Sequence, residues 1–440
     1  TVDLDADSTW LNRSNGFTIL RGNNAHAYAD TGAPNGVNGG ENIAPSGGTD
    51  WLFPQVPFTV SGQSCPAAGC SWDSTSAATA ATNRNQATTQ LFYFVNRFHD
   101  HLAAPPIGFT PAARNFEFSA DPGGGIGGDA VLAEADDYAV PNNASMSTPQ
   151  DGGAPRLQAG LFTNPSLNAA DDASVVYHEY AHGLTNRSVG SGAGLDADQS
   201  RAMGEGWSDW YALDYLVQQG LVSDNPAVNG ELQIGGYVAA GGLRREGTDC
   251  PVGASAPACP GTAGAGPGGF TFGDLGHVGA IFEVHDDGEI WAQTLWDLRR
   301  ALGSATARAL ITGGLRLAPN NPSMLEARDA IILADEALGA PNHALLWQLF
   351  AARGMGYGAT TTSASASTAQ EAFDLPPLLT HAAATVTDPA PGGDGDDVAE
   401  PGETVRIGEA LRNANPFAVT GVSGRLTSSS PGVVAVQPES

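Results

Sequence analysis

The sequence predicts an α+β protein of two lobes, a mixed N-terminal lobe over residues 1–170 and a mainly helical C-terminal lobe over 171–384, with a partial β-sandwich segment over 385–440. Three observations predict it. Short apolar runs between Gly, Asn and Pro turns fill the first part, apolar residues at helical spacing fill the second, and alternating apolar positions with frequent turn residues fill the last.

In the N-terminal part, FTIL, HAYAD, FYFV and AVLAEADDY read as strand-like runs, as in an α+β or strongly twisted β domain. The stretch TTQLFYFVNRFHDHL (88–102) has helical amphipathicity. His99 and His101 within it invite a metal assignment, but positions i and i+2 of a helix point apart, so a structural role is expected. From Asp171 onward, the spacing predicts helices over 172–188, 200–219, 288–302, 304–317, 322–338 and 341–353, with Gly or Pro near most ends. Asp171 or Asp172 can cap the first of these, Val175 and Val176 bury its start, and Gly190 can end it. Residues 239–276 form a Gly/Pro/Ala-rich excursion of a length that is usually functional or mobile. Residues 359–371 are small and polar, a loop or linker, and no repeat of fixed period is present.

After about Thr385 the composition shifts to strand-like alternation. So short a tail supplies only three or four strands, too few for its own two-sheet core, so it is read as the start of an accessory domain or as a segment paired with the body. Asp394, Asp396 and Asp397 make a candidate Ca2+ turn; the alternative is a solvated acidic turn.

The chain carries a formal charge of −28 and a pI near 4.4, which disfavours nucleic acid and anionic membrane as partners. All 19 basic side chains are Arg, a bias that a GC-rich genome produces without functional meaning. No apolar run approaches the roughly 20 residues that cross a bilayer. The chain has no signal peptide at Thr1 and is read as a processed, exported protein, monomeric and extracellular. Cys65 and Cys70 bracket one short turn and Cys250 and Cys259 another, so local pairing is the simplest of the three possible connectivities. Such pairs read as staples on exposed loops of a secreted protein, with free thiols as the alternative.

Chemistry concentrates in VVYHEYAHGLTNR (175–187) and AMGEGWSDWYALDYL (202–216). On a helix, His178 and His182 share one face, where two imidazoles can bind a single Zn2+. Glu205 is the candidate third ligand, and Asp209, one turn on, can orient an imidazole from behind. Glu179 reaches the same cleft and can act as general base. Ser188 stands where a third histidine would make a different class of zinc peptidase. The bland alternative, a helix with two unrelated histidines, leaves the second segment unexplained.

These segments resemble the fungalysin-type metallopeptidases, relatives of thermolysin, which carry HEYxHG…NR followed by GEGWSD. GNNAHAYAD (22–30), FYFVNRFHDHL (92–102), GGDAVLAEADDYAVPNNASMSTPQDG (127–152), GGLRR (241–245) and EVHDDGEIWAQTLWDL (283–298) look like further family blocks in family order. The likeness covers roughly residues 15–355. It implies a bilobal thermolysin-like fold, a secreted zinc endopeptidase acting on proteins or peptides, and a propeptide before maturation. Site roles follow from it too: His178, His182 and Glu205 as zinc ligands, Glu179 as base and His285 as oxyanion stabiliser. Asn143 and Ala144 look like the edge that binds substrate backbone. Arg244 resembles the arginine holding the P1′ carbonyl and a ligand carboxylate, and Leu243 the lining of an apolar S1′ pocket that also contains Val175. Read without the likeness, His285 is equally a buried structural histidine, Arg244 and Arg245 a salt bridge and a surface pair, and Asn143 a turn former. After GGLRR the sequence EGTDCPVGASAPACP departs from the aromatic-rich stretch usual in the family, so the usual tyrosine oxyanion donor has no identified position.

Overall fold

Helices and strands divide the chain much as its periodicity does. The computed structural model describes residues 10–11, 18–119, 124–190, 194–255, 257–413, 419–422 and 424. It falls into two compact units, Thr1–Asp374 and Leu375–Ser440.

In the first unit, β1 (Ala25–Ala29), β2 (Val131–Ala135), β3 (Ala144–Ser147) and β4 (Arg156–Ala159) form one sheet in the order β1-β2-β4-β3. β1, β2 and β4 are parallel, and β3 closes the edge antiparallel to β4 with Ala144 opposite Ala159. Parallel neighbours need a long crossover, and helix α1 (Arg84–Ala103) provides it, packing on β1 and β2. The FYFV run lies inside α1 and is not a strand. Its Phe92 and Val95 are buried at helical spacing with the flanking Leu91, Phe98 and Leu102, which outweighs β propensity, and Pro105-Pro106 follows the helix end. Of FTIL, Phe17 lies outside the described residues and Thr18–Leu20 are not in a strand. A small hairpin, β5 (Leu161–Thr163) with β6 (Ser166–Asn168), leads into α2 (Ala173–Ser188).

Asp172 caps α2, its Oδ1 accepting from the Ser174 and Val175 amides, and its Oδ2 from the Tyr237 and Val238 amides. At the other end Arg187 is fully buried, bridging Asp129 and Asp151 and donating to the carbonyls of Pro149, Gln150 and Gly153. Helix α2 therefore joins both halves of the unit: it packs on α1 and β3, and on α3 (Asp198–Gln218). Beyond it lie α4 (Val284–Leu302), α5 (Ser304–Leu317), α6 (Met324–Ala337) and α7 (His343–Ala352).

Helix α4 begins four residues before its expected start at 288. Glu283 accepts from the His285 and Asp286 amides and so caps the helix, which carries Asp286 and Asp287 at its positive end and absorbs Gly288. The α3–α4 contact is unusually close: a Cβ on Gly288 would sit 2.6 Å from the Ala202 carbonyl oxygen, and one on Gly206 2.5 Å from that of Gly288. Trp207, Trp210, Trp291 and Trp296, all fully buried, fill the space beside it.

Both local disulfides form, Cys65–Cys70 and Cys250–Cys259. They are not simple surface staples, because Cys70, Cys250 and Cys259 are fully buried. The 239–276 excursion folds inward with them, burying Phe270, Phe272 and Leu275, and buried Arg353 donates to the Cys250 and Phe270 carbonyls. His99 and His101 join no group of converging ligands among the described residues. His99 bonds Asn115 and Asp100, and His101 stacks on Tyr215.

The second unit contains one described sheet, β7 (Leu379–Thr387) antiparallel to β8 (Arg406–Asn413). Strand β7 runs through residue 385, and the unit begins at Leu375. The small residues of β7 hide the strand among linker-like composition. In the acidic turn, Asp388, Asp394 and Glu403 converge, whereas Asp396 instead accepts the Val398 amide.

Candidate active site

The i, i+4 spacing on α2 brings His178 Nε2 and His182 Nε2 within 3.0 Å of each other. Helix α3 brings Glu205 against them, its Oε2 3.2 Å from His178 Nε2 and its Oε1 3.5 Å from His182 Nε2. Two ring nitrogens that close, faced by a carboxylate, are a donor set for a tetrahedral N/O-liganded cation, and these residues fit zinc.

Behind these three candidate ligands is a tight charge network. His178 Nδ1 meets Asp209 Oδ1 at 2.7 Å, and Arg244 grips the same carboxylate at 2.6 and 2.8 Å while reaching Glu205 Oε2 at 3.4 Å. Burial opposes ionisation of Asp209, but Arg244 and His178 outweigh it and hold its carboxyl below the usual range. The Nδ1 hydrogen bond directs Nε2 of His178 toward His182 and Glu205.

His285 enters from the first turn of α4. Its Nε2 lies 3.5 Å from Glu205 Oε2 and its Nδ1 2.7 Å from Glu283 Oε1. Its side chain is 53% exposed, so it is not a buried structural histidine. The Gly206–Gly288 backbone contact sets this approach, because it lets the start of α4 reach the Glu205 turn of α3.

A cavity of about 400 Å³ opens over the cluster, lined by Glu179, His285, Val175, Leu243, Arg244 and the edge residues Asn143 and Ala144 among others. Burial pushes the Glu179 carboxyl up, against the pull of His178 and His182. The family model described as Fungalysin metallopeptidase (M36) matches residues 3–359.

The chain belongs to the fungalysin metallopeptidase family.

Its relatives agree. It is 33% identical over 403 residues to the extracellular metalloproteinase MEP of Fusarium vanettenii, covering 84% of this chain and 56% of that protein. Against the Pyricularia oryzae protein of the same name, identity is 33% over 374 residues, covering 78% and 52%. Extracellular metalloproteinase 3 of Trichophyton soudanense is 32% identical over 373 residues, 78% of this chain and 84% of that protein. The chain thus spans about half the length of the first two relatives. Among solved structures, the precursor of protealysin, a metalloproteinase from Serratia proteamaculans, is similar with a TM-score of 0.44 and 15% identity, covering 62% of this chain and 80% of that one.

Within this fungalysin the residues singled out from sequence gather around one cleft, and several neighbours escape a sequence reading. Glu283 is one; a carboxylate just before a helix start signals a cap, but not that its other oxygen holds a histidine. Phe162 and Ile234 also line the cavity, as does Arg201. No tyrosine lines it among the described residues. Arg245 pairs with Asp286 on a half-exposed surface and takes no part in the cluster.

Proposed function

We propose that this fungalysin is a secreted zinc endopeptidase that hydrolyses internal peptide bonds of proteins, with preference for apolar P1′ residues. The observation that carries this reading is the convergence of His178, His182 and Glu205 beside Glu179 in a cleft bounded by edge strand β3. His178, His182 and Glu205 would hold the metal. When bound, zinc supplies a Lewis acid that makes water nucleophilic at neutral pH and polarises a carbonyl. Glu179 accepts the proton of the attacking water at its carboxylate and returns it to the leaving amine nitrogen. His285 donates from Nε2 to the oxyanion while Glu283 holds Nδ1. An extended substrate adds to the free edge of β3 near Asn143 and Ala144. Arg244 braces Glu205 from below and presents the guanidinium to the P1′ carbonyl, and Val175, Ile234 and Leu243 offer the apolar wall for the P1′ side chain. On this reading residues 1–170 supply the substrate edge and the helical residues from 171 supply the ligands. The tail is an accessory segment.

A purely binding protein has no use for a buried carboxylate at Glu179, which supports the enzymatic reading. The test is metal analysis with casein digestion, with and without chelator, on the wild type and on Glu179→Gln. One zinc per chain in both proteins, with turnover reduced by several orders of magnitude in the variant, is expected. Near-normal turnover in Glu179→Gln would remove the base from the mechanism. Peptide mapping that places cleavage before polar residues would remove the apolar pocket.

A further inference from the structure

A second set of converging donors lies in the sheet half of the first unit. Asp30 directly follows β1, Glu134 lies on β2 and Asp137 follows it; the parallel register with Ala29 opposite Ala135 brings the two strand ends together. One carboxylate oxygen from each lies within 4.8 Å of the others, and all three residues are buried, Asp30 and Glu134 with 0% exposure.

Protein hydrogen bonds account for only some of these oxygens. Asp30 Oδ2 accepts the Gly36 amide, Asp137 accepts the Ala139 amide at Oδ1 and Gln158 Nε2 at Oδ2, and Glu134 Oε1 accepts the Tyr28 hydroxyl and the Arg156 guanidinium. Among the described residues, Asp30 Oδ1 and Glu134 Oε2 are buried with no partner. Buried carboxylate oxygens are rarely left so, because the lost hydration is not replaced. Charge is short as well. Three carboxylates face one guanidinium, Arg156, and nearby Glu41, its oxygens held by the Thr31 and Asn38 amides, adds to the negative field.

We propose that Asp30, Glu134 and Asp137 form a second cation site, for a hard divalent ion of the calcium type. The donors are all oxygen, unlike the imidazole-containing cluster of the cleft, which suits calcium and disfavours zinc. The ion completes the two open oxygens and offsets the excess charge. It also braces the cleft: Gln158, which donates to Asp137 at 2.7 Å, accepts Ser145 Oγ at 3.2 Å, and Ser145 lies on β3 and lines the cavity.

The test uses the full chain, zinc-loaded and treated with a calcium-selective chelator, with terbium(III) and Ca2+ as probes. Tyr28 touches a proposed ligand, so terbium bound there emits on tyrosine excitation. Residues 375–440 contain no Tyr or Trp, so the acidic turn at Asp388 and Asp394 has no sensitiser within its own unit, and the loss of emission in Asp30→Asn assigns the signal to the proposed site. Saturable emission displaced by Ca2+, with a melting temperature that rises on adding Ca2+, is expected. Asp30→Asn and Glu134→Gln should each weaken binding by about tenfold or more. If Glu134→Gln fails to fold because Arg156 loses its partner, Asp30→Asn decides alone. The proposal is overturned by absent or calcium-insensitive emission in the wild type, or by unchanged affinity in Asp30→Asn. A shared proton in place of the ion would give no calcium response at neutral pH and a gain in stability on mild acidification.

Discussion

His178 Nδ1 and Asp209 Oδ1 stand 2.7 Å apart, and the same carboxylate holds Arg244 through two further hydrogen bonds. One buried acid therefore orients a candidate ligand and anchors the guanidinium that braces another, Glu205. Asp209→Asn keeps the shape but loses the charge. Zinc affinity should fall by about 10- to 100-fold, read by competition with a chromogenic chelator. Unchanged affinity would mean that the His178 ring is fixed by packing alone.

His285 and Glu283 form the second pair to separate. His285→Ala should lower kcat by roughly 10² to 10³ with little change in KM, the signature of a group acting on the transition state. Glu283→Gln retains a cap acceptor but not the charge beside Nδ1, so it should cost less and shift the pH profile of kcat. Equal losses in kcat/KM from KM alone would assign His285 to substrate binding instead.

The close approach of α3 and α4 should tolerate no side chain. In Gly288→Ala the new Cβ meets the Ala202 carbonyl oxygen at 2.6 Å and Glu205 Cβ at 2.8 Å, both on a helix that cannot yield cheaply. Overpacking of this kind costs about 1 to 3 kcal/mol, and chemical denaturation should show it. Because the same contact sets His285 against Glu205, activity measured well below the melting temperature should fall too. A variant as stable and active as the parent would show that the helices separate freely.

His101 should make the fold acid-sensitive. Burial, aided by Arg308 and Arg97, lowers its pKa from the usual 6.5 to about 4, and among the described residues its Nε2 is buried without a partner. Between those values the unfolded chain binds a proton that the folded chain does not, so stability is full above 6.5 and falls as the pH drops toward 4. Replacement by Phe keeps the stacking on Tyr215 and should flatten that slope by up to one proton's worth in pH-dependent denaturation. An unaltered slope would place the acid sensitivity in other groups.

What the sequence determined by itself is local. His178 and His182 share a face because four residues make about one turn of helix, an Asp at 171 or 172 is placed to cap α2, where the structure selects Asp172, and local pairing of the cysteines is the simplest of the three connectivities, which the structure adopts. Even FYFV was legible once its neighbours at helical spacing were counted. The tertiary structure alone decided which distant groups meet. His285 reaches Glu205 only because Gly206 and Gly288 let two backbones touch, Arg244 reaches Asp209 from a segment without helix or strand, and Asp30 meets Glu134 through a strand register set across a long crossover. No periodicity encodes such meetings. They depend on how side-chain volumes fill the space between elements far apart in the chain, a property of the packed whole.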